Sequence, residues 1–262
     1  MSRFTRDTQV EQLDEHRWRA QLREGWRIGT VPNGGYVLSV AGRVLREALP
    51  HSDPQSANAF YLAPTETGPI DCEVEVLRRG RGSSQACVRM SQAGELKTHV
   101  TASYSDLGAP SGADWSSVAR PDIPPWSACA ARAEERVEFY REGVEIRLAS
   151  GAELWARREP NGSGEFQGWV HFRDGGDADT LALLLFADAV WPPIFTVFGP
   201  QRWVPTVELT VQVRRAPAPG PLQVRFRSRY LTGGVVEEDG ELWDSAGALV
   251  AISRQMAKIR VS

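Results

Sequence analysis

Cysteine and histidine are scarce in this chain. Three cysteines in 262 residues, Cys72, Cys87 and Cys129, include no CxxC pair. That excludes a disulfide framework and a cysteine-built metal knuckle. The sequence points to no metal and no cofactor. Positive charge is not in excess either. A formal net charge of −3 argues against a nucleic-acid partner, which would need a basic footprint. The opening residues, MSRFTRDTQVEQLDE, lack the apolar core of a secretory signal, so a reducing cytoplasm is the expected location. No GxSxG nucleophile elbow is present. Neither is a glycine pattern of the dinucleotide-binding or P-loop kind.

What the chain does have is one long apolar run, residues 180–198, TLALLLFADAVWPPIFTVF. A helix of this composition is greasy on every side and belongs in a core. Its aspartate and adjacent prolines, with polar strands around it, favour a soluble core helix over a membrane span. Leu181, Leu184, Leu185 and Asp188 fall on one helical stripe. The spacing predicts a helix over 180–191, stopped by Pro192-Pro193. Asp188 then lies in its last turn, where the helix dipole disfavours a negative charge. A carboxylate there needs partners to offset its desolvation, which makes Asp188 the first candidate for a functional site.

Short alternating bursts at 8–30 read as two strands. Pro32-Asn33-Gly34-Gly35 is a turn and helix-start signal. Val37, Val40, Ala41, Val44, Leu45 and Ala48 then repeat at helical spacing, up to Pro50. Strand-like runs follow at 56–62, 70–78, 83–92 and 96–105. A helix lying on consecutive antiparallel strands is an α+β pattern. Residues 107–135 are rich in Gly, Pro and Ser and read as a linker.

The order then repeats. Strands are expected at 137–149 and 165–172, then the apolar helix, then strands at 203–214, 222–231, 234–243 and 249–260. Gly94-Glu-Leu matches Gly247-Ala-Leu at an offset of 153 (247 − 94), and Pro64 matches Pro217 at the same offset. Two similar modules, 1–106 and 136–262, are expected. Alternation puts Gln255 on an inward face, where the first half has Ala102. A buried amide needs partners; backbone partners for a structural role and a place in a site are both open on pattern alone. Only the second half carries such out-of-place polar residues, so one working site per chain is expected.

The element order, the segment GTVPNGGYVLSVAGRVL, the strand AFYLAP and the second-half series FADAVWPP, VPTVELTVQVRRAP and ISRQMAKIR resemble the double hotdog acyl-CoA thioesterases, close to the acyl-CoA thioesterase II group. The resemblance covers nearly the whole chain. It implies an α+β double hotdog that hydrolyses acyl-CoA to free acid and CoA. It also implies that Asp188, Thr206 and Gln255 together hold the attacking water. Thr206 enters through the resemblance, because plain alternation puts it on a wet face with Glu208, Thr210 and Gln212. Gly34 and Gly35 are expected to supply backbone N–H donors for the oxyanion, since glycine admits a ligand close to the backbone. The expected partners are an acyl-CoA substrate and a second copy of the chain, in a dimer of double hotdogs. Two other readings stand beside this one: a hotdog protein that binds acyl-CoA without turnover, and a hotdog hydratase or dehydratase. The latter needs a histidine, and none of His16, His51, His99 and His171 lies in the stretch that carries Asp188.

Overall fold

Asn33 starts the helix on which the first half is built. Its side chain accepts the Tyr36 N–H at 2.9 Å, satisfying one of the amides that a helix start leaves bare. The helix runs Gly34–Ala48, as its apolar spacing predicts. The computed structural model describes residues 1–108, 113–129, 131, 137–150, 159–199 and 204–259.

Before this helix come β1 (Val10–Gln12), β2 (Arg17–Leu22), β3 (Arg27–Ile28) and β4 (Val31–Pro32). After it come β5 (Asp53–Tyr61), β6 (Gly68–Arg79), β7 (Ser84–Gln92) and β8 (Glu95–Ser105). The second half has β9 (Val144–Ser150) and β10 (Glu165–Phe172), then short helices at Ala182–Phe186 and Phe195–Phe198. It ends with β11 (Thr206–Val213), β12 (Leu222–Arg227), β13 (Leu231–Thr232), β14 (Val235–Trp243) and β15 (Leu249–Lys258). The strands of the main sheet lie in the order β1-β2-β6-β7-β8-β5-β11-β15-β14-β12-β10-β9. Read outward from the centre, and leaving out β13, which lies off this path and pairs only with β14, each half gives its first, fourth, third and second post-helix strand, then a pre-helix strand. The turn glycines Gly94 and Gly247 both take positive φ, 80° and 84°, a backbone state open to glycine at little cost.

The halves join through the antiparallel pair β5–β11, where Asn58 faces Thr210 and Ala57 faces Val211. Adding 153 to Ala57 and Asn58 gives Thr210 and Val211, so the two pairs exchange. The repeat offset thus coincides with an approximate two-fold relation across the central strands.

Three expectations are corrected. The helix expected over 180–191 is only Ala182–Phe186. Asp188 follows it in a tightened turn, its N–H on the Leu185 carbonyl at 3.0 Å. The Asp188 carbonyl is taken by the Asn33 amide at 2.9 Å instead of a further helical turn. The prolines open a second short helix rather than only ending the first: Phe195 N–H bonds to the Pro192 carbonyl at 3.0 Å. Finally, the strand expected from 137 begins as a π-helical turn, Phe139–Gly143. Phe139 and Tyr140 are adjacent and both buried, which strand alternation does not allow on a one-sided sheet. Of the expected linker, residues 109–112, 130 and 132–135 lie outside the described residues, as does Trp203 of the expected 203–214 strand. Parts of the remaining linker touch the second-half strands: the Pro124 carbonyl accepts from Trp169 Nε1 of β10 at 2.9 Å, the Pro121 carbonyl from Gln223 of β12, and the Trp126 carbonyl from Arg147 of β9 at 3.1 Å.

Among the described residues, no helix is long and apolar enough to cross a membrane.

Candidate active site

The Gly34–Ala48 and Ala182–Phe186 helices pack antiparallel, and small residues let them approach. A methyl on Gly35 would lie 2.7 Å from the Leu185 carbonyl oxygen. One on Gly42 would lie 2.8 Å from a Leu181 methyl. Between them, Ser39 Oγ donates to the Leu181 carbonyl at 3.1 Å. Residues 181–186 are all buried, as their composition predicts. This packing carries Asp188 to the start of the Gly34–Ala48 helix.

Asp188 Oδ2 accepts the Gly35 N–H at 2.9 Å and the Asn33 Nδ2–H at 3.0 Å. Its own short helix disfavours the charge, but the facing helix offers its positive end. Burial still dominates. It pushes the carboxyl up from the ordinary aspartate value to about 6, against the lowering effects of Gly35, Asn33, Gln255 and Gly34. A carboxylate with a pKa near neutrality is suited to take a proton from water.

Thr206 and Gln255 meet at the same place. Thr206 Oγ1 donates to Gln255 Oε1 at 2.7 Å. Plain alternation put Thr206 on the outer face, and a β-bulge reverses that. The β11–β15 register shifts between Thr206 and Glu208, so Thr206 faces Ala257 while Glu208 faces Met256. Ala257 is buried and Met256 exposed. The extra residue, Val207, turns Thr206 inward.

Asp188, Thr206, Gln255 and Gly34 line one cavity of about 440 Å³. Its wall is otherwise largely apolar, with Ile28, Val31, Val37, Leu62, Val190, Trp191, Phe195 and Val236 from both halves. Gly35 differs from its expected role. It does not line the cavity, and its N–H is held by Asp188 rather than open to a substrate oxygen. Its missing side chain serves helix approach.

Three lining residues escaped the sequence reading in their role. Asn33 was legible as a helix cap, but its amide also holds Asp188. Tyr61 closes β5 and donates to the Gly34 carbonyl at 2.8 Å, and nothing in its local sequence marks that. Glu238 is 5% exposed and accepts from Gln255 Nε2 at 2.7 Å. It shares the inward face of β14 with Val236, Gly240 and Leu242, so an acid on a buried face was the available signal.

The family model described as the acyl-CoA thioesterase N-terminal domain matches residues 22–105. The one described as the acyl-CoA thioesterase C-terminal domain matches residues 117–259. The thioesterase-like protein TwmA of Talaromyces wortmannii is 25% identical over 321 residues, covering 98% of this chain and 91% of that protein. The crystal structure of a putative thioesterase II from Thermobifida fusca YX superposes with a TM-score of 0.91 at 32% identity, covering 99% of this chain and 98% of that one. A protein of unknown function from Alicyclobacillus acidocaldarius, described as having a hot dog fold, superposes with a TM-score of 0.89 at 18% identity, covering 100% and 99%. The two-fold repeated α+β architecture is a double hotdog.

Proposed function

Because this chain belongs to the acyl-CoA thioesterase family and is a thioester hydrolase, we propose that it cleaves acyl-CoA to free acid and CoA with water activated by Asp188. One observation carries this reading: a carboxylate raised to about 6 shares an apolar cavity with a hydroxyl and an amide already bonded to each other. The acyl chain lies along the apolar wall. Asp188 takes one proton from water as its oxygen attacks the thioester carbonyl carbon. The tetrahedral intermediate collapses, the C–S bond breaks, and the proton held by Asp188 passes to the CoA sulfur. Atoms and charge balance with no further reactant.

Thr206 and Gln255 hold the water. Gly34, which lines the cavity and has the weaker hold on Asp188 of the two glycines, is the proposed backbone donor to the developing oxyanion. Gly35 and Asn33 orient the base. No histidine lines the cavity among the described residues, which favours hydrolysis over hydration. Thiol release from short, medium, long and aromatic acyl-CoAs tests the reading. Release from at least one class is expected, and Asp188→Asn should lower it by about two to four orders of magnitude. Binding without release would leave an acyl-CoA-binding protein instead.

A further inference from the structure

Glu238 touches the proposed water site without having a part in the proposed chemistry. It is the direct cross-strand partner of Gln255, and it lines the same cavity as Asp188. A carboxyl group on a buried sheet face is costly unless something repays its desolvation. Burial pushes it well above the usual glutamate range, and the bond from Gln255 pulls it back. Two hydrogen bonds run in series. Thr206 Oγ1 donates to Gln255 Oε1, and Gln255 Nε2 donates to Glu238 Oε1, each at 2.7 Å. We infer that Glu238 is a positioning residue that fixes the polarity of this relay, and so sets which hydrogen-bonding groups the cavity offers the attacking water. The inference rests on the thioesterase reading above.

A carboxamide turned by half a revolution keeps its shape and exchanges its donor and acceptor ends. Thr206 does not choose between the two states, because a hydroxyl donates or accepts. Glu238 does choose in its ionised form, because a carboxylate has only acceptors and so holds the NH2 end. The consequences follow in order. The Gln255 oxygen turns to Thr206 and commits the hydroxyl hydrogen. Thr206 is left with lone pairs to present. The other Gln255 N–H is turned toward Asp188, whose carboxyl it helps hold down. Water in this site gives one hydrogen to Asp188 and one to Thr206 Oγ1. Its oxygen lone pairs remain free for the carbonyl carbon. With the amide reversed, Thr206 would donate where water needs an acceptor, and water would keep only Asp188 as a partner for its hydrogens.

The test is thiol release from octanoyl-CoA, palmitoyl-CoA and benzoyl-CoA by the full chain and three variants. Glu238→Met keeps length and removes the acceptor. It should lower kcat by about ten- to a hundredfold, the scale of a misplaced reactant, with KM within about twofold of the parent. Glu238→Gln leaves a carboxamide oxygen able to accept in one of two orientations, so its kcat should fall between the parent and Met. Parental kcat in Glu238→Met, or a raised KM at constant kcat, would overturn the inference. If Glu238→Met does not fold, the exchange Glu238→Gln with Gln255→Glu decides. It keeps volume and charge but leaves only acceptors at 255, so kcat should drop at least as far as expected for Met. Parental kcat in the exchanged protein would overturn the inference. A parent that releases thiol from none of the three refutes the thioesterase reading on these substrates, and this inference with it. An active parent with an indifferent Glu238 refutes the inference alone.

Discussion

Thr206 has one polar atom to contribute, and the structure spends its hydrogen on Gln255 Oε1. Losing one such hydrogen bond costs about 0.5–1.5 kcal/mol, so Thr206→Val should slow kcat by up to roughly tenfold. Thr206→Ser keeps the hydroxyl and should stay near the parent. A valine variant as fast as the serine one would remove Thr206 from the water site. At this scale the sequence was partly legible. Asp188 stands out as the lone charge in an apolar run, and Gln255 as the lone amide on an inward strand face. Thr206 does not stand out, because period-2 alternation assigns it to the wrong side. The bulge at Val207 that corrects this has no composition of its own. Glu238 was legible by the same test as Gln255, once β14 was read as facing inward at Val236 and Leu242.

The pair of helices shows what an element-level pattern can and cannot carry. The Gly34–Ala48 helix follows from a cap and a 3.6-residue period, both local. The Ala182–Phe186 helix is shorter than its apolar run because its end is settled by another element: Asn33 takes the Asp188 carbonyl, and the helix start takes the carboxylate. Sequence periodicity does not see a partner 155 residues away. This packing makes a stability prediction. Gly35→Ala forces a methyl against the backbone oxygen of Leu185 at 2.7 Å and that of Leu184 at 3.0 Å. Overpacking of this kind costs about 1–3 kcal/mol, which a denaturant melt should report along with lost activity. Gly34→Ala meets side-chain atoms instead, Asp188 Oδ2 at 3.0 Å and Tyr61 Cζ at 3.1 Å. Side chains give more readily than backbone, so its loss of stability should be smaller while its turnover falls.

For the molecule as a whole, the site is a product of both halves. Asp188 comes from the second half, while its strongest hydrogen-bonding partners, Gly35 and Asn33, come from the first. The repeat was legible through the 153-residue offset, and the strand order bears the same plan in each half. The cavity between the halves was not legible, because it depends on which faces meet across β5–β11. That cavity is what buries the carboxyl and raises it to about 6.

The direction of the pH effect follows from that shift. The base works only when ionised, so activity is lost as pH falls through the raised pKa. The pH profile of kcat/KM for CoA release is therefore the direct measurement. It should show an acidic limb with a midpoint near the raised Asp188 pKa of about 6, a plateau above it, and loss of that activity in Asp188→Asn. Parental turnover in Asp188→Asn, with the same acidic limb, would contradict this role for Asp188.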